Sequence, residues 1–452
     1  MVISSVHIED LVGSRIDPMP FHPERLKILE KINASKKGIR LKNLVSNVKT
    51  ITKSISEEDI YIGLENIKSH IGQYVPTSEK GSISSAAVFK KGNILFPKLR
   101  PYLNKVYRAE FDGLCSTEFY VFEAKNIDAD YLTIVLRSNF VLRQTKHLTT
   151  GNTLPRLQTV DVDNLLIPVP SEYIQKEIVS LYLKAQEDRS DKIRESERIL
   201  KSIDSLLSRD LGVNLSEKQI SRAFKTSISS IIGTRLDTYF HQPFFEKEFE
   251  AIKKSPYSVL SLKNISECIT SGITPTSGGK DYTDYETGIA FIRSGDIDID
   301  GDIDFDNLLY ITPEIHNTKM KSSKVKRNDI MIAIVGATIG QIGIYLSDRE
   351  ANINKARALV RVKKGFNPEY IKEVLSSSIG QLNLDRLKRP VARANINLEE
   401  IGSILIPVPE LIQQNEIVKK VKEIRSKAKK LQNEGDELLQ IAKQKIEQLI
   451  LE

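Results

Sequence analysis

Toward the C-terminus, apolar residues return at spacings that alternate between four and three: Ile417, Val421, Ile424, Ala428, Leu431, Gly435, Leu438 and Ala442. This is a heptad seam, and it predicts one long helix with a buried stripe. Subtracting 239 (417 − 178) gives Ile178, Tyr182, Ala185, Arg189, Lys192, Ser196, Ile199 and Ile203, a second seam in the same register whose middle is polar. A lone heptad is satisfied by its own domain. Two in one register favour pairing with each other, and antiparallel pairing is simplest because a whole module of chain lies between them.

Each seam follows the same corner. Leu166-Ile167-Pro168-Val169-Pro170, with Gln175, Glu177, Ile178 and Val179, returns as Leu405-Ile406-Pro407-Val408-Pro409, with Gln414, Glu416, Ile417 and Val418. The offset also carries Tyr131 onto Tyr370, Val135 onto Val374 and Leu136 onto Leu375. Two prolines one residue apart exclude both helix and central strand, so each copy should end in strand, locked corner and long helix. Upstream, Gly13-Ser14-Arg15-Ile16-Asp17 and Phe21-His22-Pro23 are echoed by Gly233-Thr234-Arg235-Leu236-Asp237 and Phe240-His241-Gln242-Pro243. The chain reads as an internal duplication, the first copy running to about 211 and the second from about 225.

The middles of the copies alternate with a period of two. Short strands are expected at 60–62, 94–96 and 119–122, then at 289–292, 308–311, 330–335, 342–346 and 358–362. Helical spacing returns at 128–143 and 368–387. The expected class is α+β, with two β-rich modules and two long helices.

Composition adds little to this. The 452 residues are 40% hydrophobic and 28% charged, ordinary for a globular chain, and the net charge of +7 permits a polyanionic partner without requiring one. Two cysteines argue for a reducing compartment, no signal pattern opens the chain, and the longest apolar run, 330–335, is far below the ~20 residues of a membrane span. A cytoplasmic location is expected. Six scattered histidines show no metal-ligand spacing, and no metal is expected.

Several catalytic patterns fail. Asn367-Pro368-Glu369-Tyr370 approaches the Asn-Pro-Pro-Tyr of adenine methyltransferases, but its third residue differs, and it fits a helix start with Asn367 as N-cap and Pro368 behind it. Asp296-Ile297-Asp298-Ile299-Asp300-Gly301 resembles a calcium loop, yet Asn307 stands where the bidentate Glu belongs; a hairpin turning at Asp300-Gly301 accounts for it. Gly336-Ala337-Thr338-Ile339-Gly340 lacks the Lys of a phosphate loop and reads as a strand connection. No catalytic or cofactor-binding residue is assigned.

Basic and aromatic residues in turns remain. Lys98, Arg100, Tyr102, Lys105, Tyr107 and Arg108 cluster in the first copy, and Lys319, Lys321, Lys324, Lys326 and Arg327 in the second. With Arg156, Arg293, Arg389 and Arg393, they are candidate DNA contacts, since such groups neutralise phosphates and Arg forks onto guanine edges.

The duplicated Ile-Pro-Val-Pro corner with its Gln-x-Glu-Ile-Val helix start resembles the specificity subunit of a type I restriction-modification enzyme. So do the run from Gly92 to Leu103, the segment Ser116-Thr117-Glu118-Phe119, Ser271-Gly272-Ile273-Thr274-Pro275, and the run from Asn328 to Ile344. The resemblance implies two target recognition domains, 1–170 and 212–409 (the latter entered by a short connection, 212–225), separated by paired antiparallel coiled-coil spacer helices, 171–211 and 410–452. Each domain would read one half of a bipartite, asymmetric site in double-stranded DNA. It further implies a prokaryotic host, two modification subunits that carry S-adenosylmethionine and methylate adenine, and motor-nuclease subunits that use ATP and Mg, with no cofactor in this chain. A coiled-coil interaction scaffold without DNA specificity is the alternative.

Overall fold

The structure, a computed structural model, describes residues 19–451 except 57, 77–82, 152, 233–234, 299–300, 302, 306 and 390–393, and sets aside the side chains of 229 and 230. The chain divides into two compact units, residues 1–194 with 431–452, and residues 195–430. Each mixes helix and sheet. The opening echo at 13–17, and its counterpart at 233–234, lie outside the described residues.

In unit 1 an antiparallel sheet runs in the order Val45–Val48, Phe119–Ala124, Ile94–Pro97, Tyr107–Arg108. Its two central strands, Phe119–Ala124 and Ile94–Pro97, are apolar on both faces. Phe122, Tyr120, Ile94 and Phe96 face one core with Tyr131 and Val135, whereas Phe119, Val121 and Leu95 face a second with Ile62 and Phe89. Alternate residues of a strand point to opposite faces, so a continuous apolar run suits a strand covered on both sides. The second sheet orders Ile51–Thr52, Ala86–Phe89, Gly113–Cys115, Tyr61–Ile62, the last pair parallel.

Unit 2 has a sheet of the same order: Ser266–Ser271, Arg357–Val362, Ile330–Ala333, Ile342–Ile344. Ile330, Ile332, Ala358 and Val360 enter one core while Met331 and Leu359 enter another. A five-stranded sheet completes it, in the order Tyr282–Thr283, Leu309–Ile311, Ile289–Ile292, Ala351–Ile353, Lys324–Val325. At the calcium-like segment, Ile297 and Ile303 bridge antiparallel around Gly301 (φ +89°); Ile299 and Asp300 lie outside the described residues.

The corners are held by side chains. Among the described residues Leu166–Pro168 pairs only with Gly38–Arg40, and Leu405–Val408 only with Ser258–Ser261, so each proline sits where no further ladder there needs its missing N–H. In unit 1 the Tyr131 hydroxyl donates to Pro168 O (2.8 Å), and Gln175 donates to Pro170 O (2.9 Å) while accepting from Asp128 N (3.3 Å). In unit 2 Tyr370 donates to Pro407 O (2.6 Å), and Gln414 donates to Pro409 O (2.8 Å) while accepting from Asn367 N (2.9 Å). Asn367 also caps its helix through Glu369 N and Tyr370 N.

Two expectations are corrected. The helices expected at 128–143 and 368–387 are each broken in two, into Ala129–Arg137 with Asn139–Lys146 and Pro368–Ser376 with Ser378–Leu387. Ser138 and Ser377 are extended at the breaks, and their hydroxyls donate back to Val135 O (2.6 Å) and Val374 O (2.7 Å), replacing helical backbone bonds.

The long helices are Glu172–Leu211 and Leu411–Leu451. In unit 1 Ile178, Tyr182 and Ala185 share a core with Leu439, Ala442 and Ile446. Arg189 pairs with Asp436 (2.7 Å) and Lys192 with Glu434 (2.6 Å), so the two segments run in opposite directions there. In unit 2 Ile203 and Leu207 share a core with Ile417 and Val421, Ile424 packs against it, and Ala428 is buried. Ile199 and Leu431 are half-buried. The second correction is Leu438, which is 40% exposed, whereas Leu439 is 4% exposed. A straight helix carries a strict heptad off its buried face by about 20° per repeat, so by the later repeats Leu438 has turned outward and Leu439 replaces it.

Candidate nucleic-acid interface

Most of the candidate cations in unit 1 brace loops. The Lys98 ammonium donates to Thr117 O (2.7 Å) and lies 4.7 Å from the Tyr120 ring centre, and burial lowers its pKa. Lys105 donates to Leu64 O (2.7 Å), Arg108 pairs with Asp130 (2.9 Å), and Tyr107 is buried. Arg156 forks onto Glu118 (2.7 and 3.0 Å), which raises its pKa through that hydrogen bond. Arg100 and Tyr102 are exposed, and among the described residues neither side chain has a hydrogen-bond partner.

In unit 2 Arg293 forks onto Asp296 (2.8 and 3.0 Å) and Arg389 onto Glu400 (3.0 and 3.2 Å). Arg327 pairs with Asp348 (3.2 Å), and Lys324 donates to Asn317. Lys319, Lys321 and Lys326 are exposed and their ammonium groups have no partner among the described residues, on a segment anchored by the buried Met320 and Val325. The nearly buried Asp329 carboxylate accepts from Lys326 N (2.7 Å) and from Arg361 (2.6 and 2.9 Å). Arg393 lies outside the described residues.

Three groupings carried no sequence signal. Arg357 is wholly buried and donates to Arg293 O and Ser294 O (3.2 and 2.8 Å); burial lowers its pKa to about 10, so it stays charged. In unit 1 a cavity of about 240 Å³ is lined by His70, Asn104, Arg137, Lys443 and Glu447 among others, with Arg137 bonded to the carbonyls of Val106 and Gly72. Finally, His22 and His147 stack at 3.9 Å beside Glu24, which accepts from Lys146 (3.0 Å) and lies 3.0 Å from His147 Nε2. An ion in the plane of one ring would lie well out of the plane of the other, so these imidazoles do not hold one metal together. The hydrogen bond from His147, then that from Lys146, holds the Glu24 carboxyl at about 2.

The arrangement offers exposed arginine, lysine and tyrosine on rigidly braced turns and brings no nucleophile, acid and base together among the described candidates. Residues 77–195 match the family described as the type I restriction modification DNA specificity domain. The EcoBI specificity subunit of Escherichia coli is 29% identical over 300 residues, 64% of this chain and 58% of that protein. The EcoDI specificity subunit, also of Escherichia coli, is 32% identical over 123 residues, 26% of this chain and 28% of that protein. The chain thus matches less than two thirds of the length of either relative. Among solved structures, one from work on complex assembly and conformational transition of the type I R-M system overlays 91% of this chain and 96% of its own at a TM-score of 0.49 and 18% identity. The type I S subunit from M. genitalium overlays 91% and 95% at 0.41 and 16%. In sequence, then, this chain is similar to the specificity subunits of type I restriction enzymes.

Proposed function

We propose that this chain is the DNA-reading subunit of a type I restriction-modification complex. Two target recognition domains, 1–170 and 212–409, arose by internal duplication and each reads one half of a bipartite, asymmetric site. The spacer helices, 171–211 and 410–452, form an antiparallel coiled coil and dock two modification subunits. The chain itself is non-catalytic and holds no cofactor; S-adenosylmethionine belongs to the modification subunits, and ATP with Mg to the motor-nuclease subunits. The whole assembly works in the cytoplasm.

The observation that carries this reading is the corner built twice. The same Tyr, Gln and Pro residues make the same hydrogen bonds 239 residues apart, each time delivering a β-rich module onto a long helix. Such a plan suits a protein that reads two half-sites with different side chains on one frame. The test is to map methylated adenines in a host genome with and without the gene. A bipartite motif methylated only in its presence is expected. An unchanged methylation map in a host that expresses the partner subunits would instead favour the interaction scaffold. Methyl transfer by the isolated, homogeneous chain would refute the non-catalytic assignment.

A further inference from the structure

Arg100 occupies the left-handed region (φ +48°, ψ +56°), as does Asn104 four residues on (φ +51°), and the two bracket the short turn Pro101–Leu103. For a residue with a Cβ this region is unfavourable; glycine is the usual occupant. Unit 2 has a turn at the equivalent place, Gly336–Thr338, entered the same way but closed differently, with positive-φ glycines where unit 1 has Arg100 and Asn104: Gly336 (φ +79°) and Gly340 (φ +96°). The bonds that frame the entry to the turn agree. Arg100 N donates to Pro155 O (2.8 Å) and Gly336 N to Ala394 O (2.9 Å), Leu157 N donates to Lys98 O and Ile396 N to Ile334 O (both 3.0 Å), and Leu99 bridges Arg156 as Val335 bridges Asn395.

The comparison isolates the Arg100 side chain. A Cβ built on Gly336 meets nothing within 4 Å, so the turn needs no side chain there for packing. Arg100 is exposed and finds no partner among the described residues, yet its backbone is held in a strained conformation by the carbonyl of Pro155. Strain that no internal contact offsets marks a side chain kept for a contact outside the chain. Tyr102 stands 45% exposed on the same turn. Arg and Tyr are the residue types that dominate interface energetics. The brace beneath them, Arg156 on Glu118 and Lys98 on Thr117 O, fixes where the guanidinium points from.

Resting on the DNA-recognition reading, we propose that Arg100 is the base-reading residue of unit 1, forking onto the O6 and N7 acceptors of a guanine in the major groove. The test uses the full chain assembled with its modification subunits, a pool of random-sequence duplexes, and the variants Arg100→Gly and Arg100→Lys. Selection should show one G·C position in one half-site losing its preference by about 5- to 150-fold in Arg100→Gly and by less in Arg100→Lys, whose ammonium reaches the same acceptors without the fixed fork, with the other half-site untouched. Arg100→Lys keeps the charge and should leave the salt dependence of binding unchanged. Arg100→Gly should also melt higher, because glycine adopts the left-handed turn without strain. Unchanged sequence preference in Arg100→Gly overturns the proposal. So does a uniform loss across all sequences with a salt slope reduced by about one, the mark of a phosphate contact, and so does a lower melting temperature, the mark of a packing role. If the unaltered assembly selects no sequence at all, the DNA-recognition reading itself fails.

Discussion

The two units share their frame and differ in what is set into it. Beside both corners the same bonds run from Tyr131 and Tyr370 to proline carbonyls. One helix away the contents are exchanged. Unit 1 stacks His147 on His22 above Glu24, whereas unit 2 has Arg386, 239 residues after His147, over the rings of Phe240 and Phe249 at 4.2 and 4.8 Å. The turns differ likewise, with Arg100 and Asn104 in one and Gly336 and Gly340 in the other. What is kept satisfies buried backbone groups, which cannot be left unpaired; what varies satisfies itself locally and can be replaced as a set.

That contrast is broken first at the corners. Gln175→Ala and Gln414→Ala each remove both bonds of a buried amide, leaving a proline carbonyl and a helix-start N–H unpaired. About 1–3 kcal/mol is expected for each orphaned group, in both variants alike, read as loss of stability in denaturant melts. A corner that tolerates the change while the other does not would show that the frames are not equivalent in energy.

The second long helix sharpens the comparison at smaller cost. Leu439→Ala should destabilise by about 2–5 kcal/mol, as a buried Leu does, and Leu438→Ala by within about 0.5 kcal/mol, although the heptad assigns the seam to Leu438. Equal effects from the two substitutions would restore the strict heptad.

Much of the frame was legible because it is written twice and with the right period. Apolar runs such as 119–122 and 330–333 announced strands, and the return of Tyr, Gln and Pro announced the corners. The breaks at Ser138 and Ser377 were not legible, since the apolar spacing continues through them. Leu438 was misplaced because a heptad drifts slowly against a helix of 3.6 residues per turn. The interface was read more coarsely. Counting cations singled out Arg156, but its partner Glu118 lies 38 positions away, and Lys105 reaches a carbonyl 41 positions away, so which cations are already engaged depends on tertiary structure. The left-handed turn at Arg100 has no sequence signal, because the residue that would announce it, glycine, is present only in the other unit.

The smallest effect is one of pH, at the site in unit 1 where His147 and Lys146 meet Glu24. The Glu24 carboxyl is held at about 2 against an ordinary 4.5 by bonds from His147 and Lys146, so its contribution is present above pH 4.5 and is lost as pH falls from there toward 2. Burial lowers the pKa of His147 below its ordinary 6.5, and a histidine kept neutral in the fold destabilises it once the unfolded chain begins to protonate, so stability should already decline as pH drops below about 6.5. The two windows separate by substitution. Glu24→Gln should reduce the decline between 4.5 and 2 and leave the upper window in place, whereas at the matching place in unit 2 the Arg386 guanidinium lies over Phe240 and Phe249 with no carboxylate, among the described residues, bonded to a histidine and a lysine as Glu24 is. Melting followed from pH 7 downward, with hydrogen exchange to localise the change, should therefore show the segment around 22–24 and 147 losing protection through both windows in the unaltered chain and through the upper one alone in Glu24→Gln. A pH profile identical in Glu24→Gln would mean that Lys146 and His147 hold the carboxylate too loosely to matter, and that the exchange of this site between the units is neutral in energy.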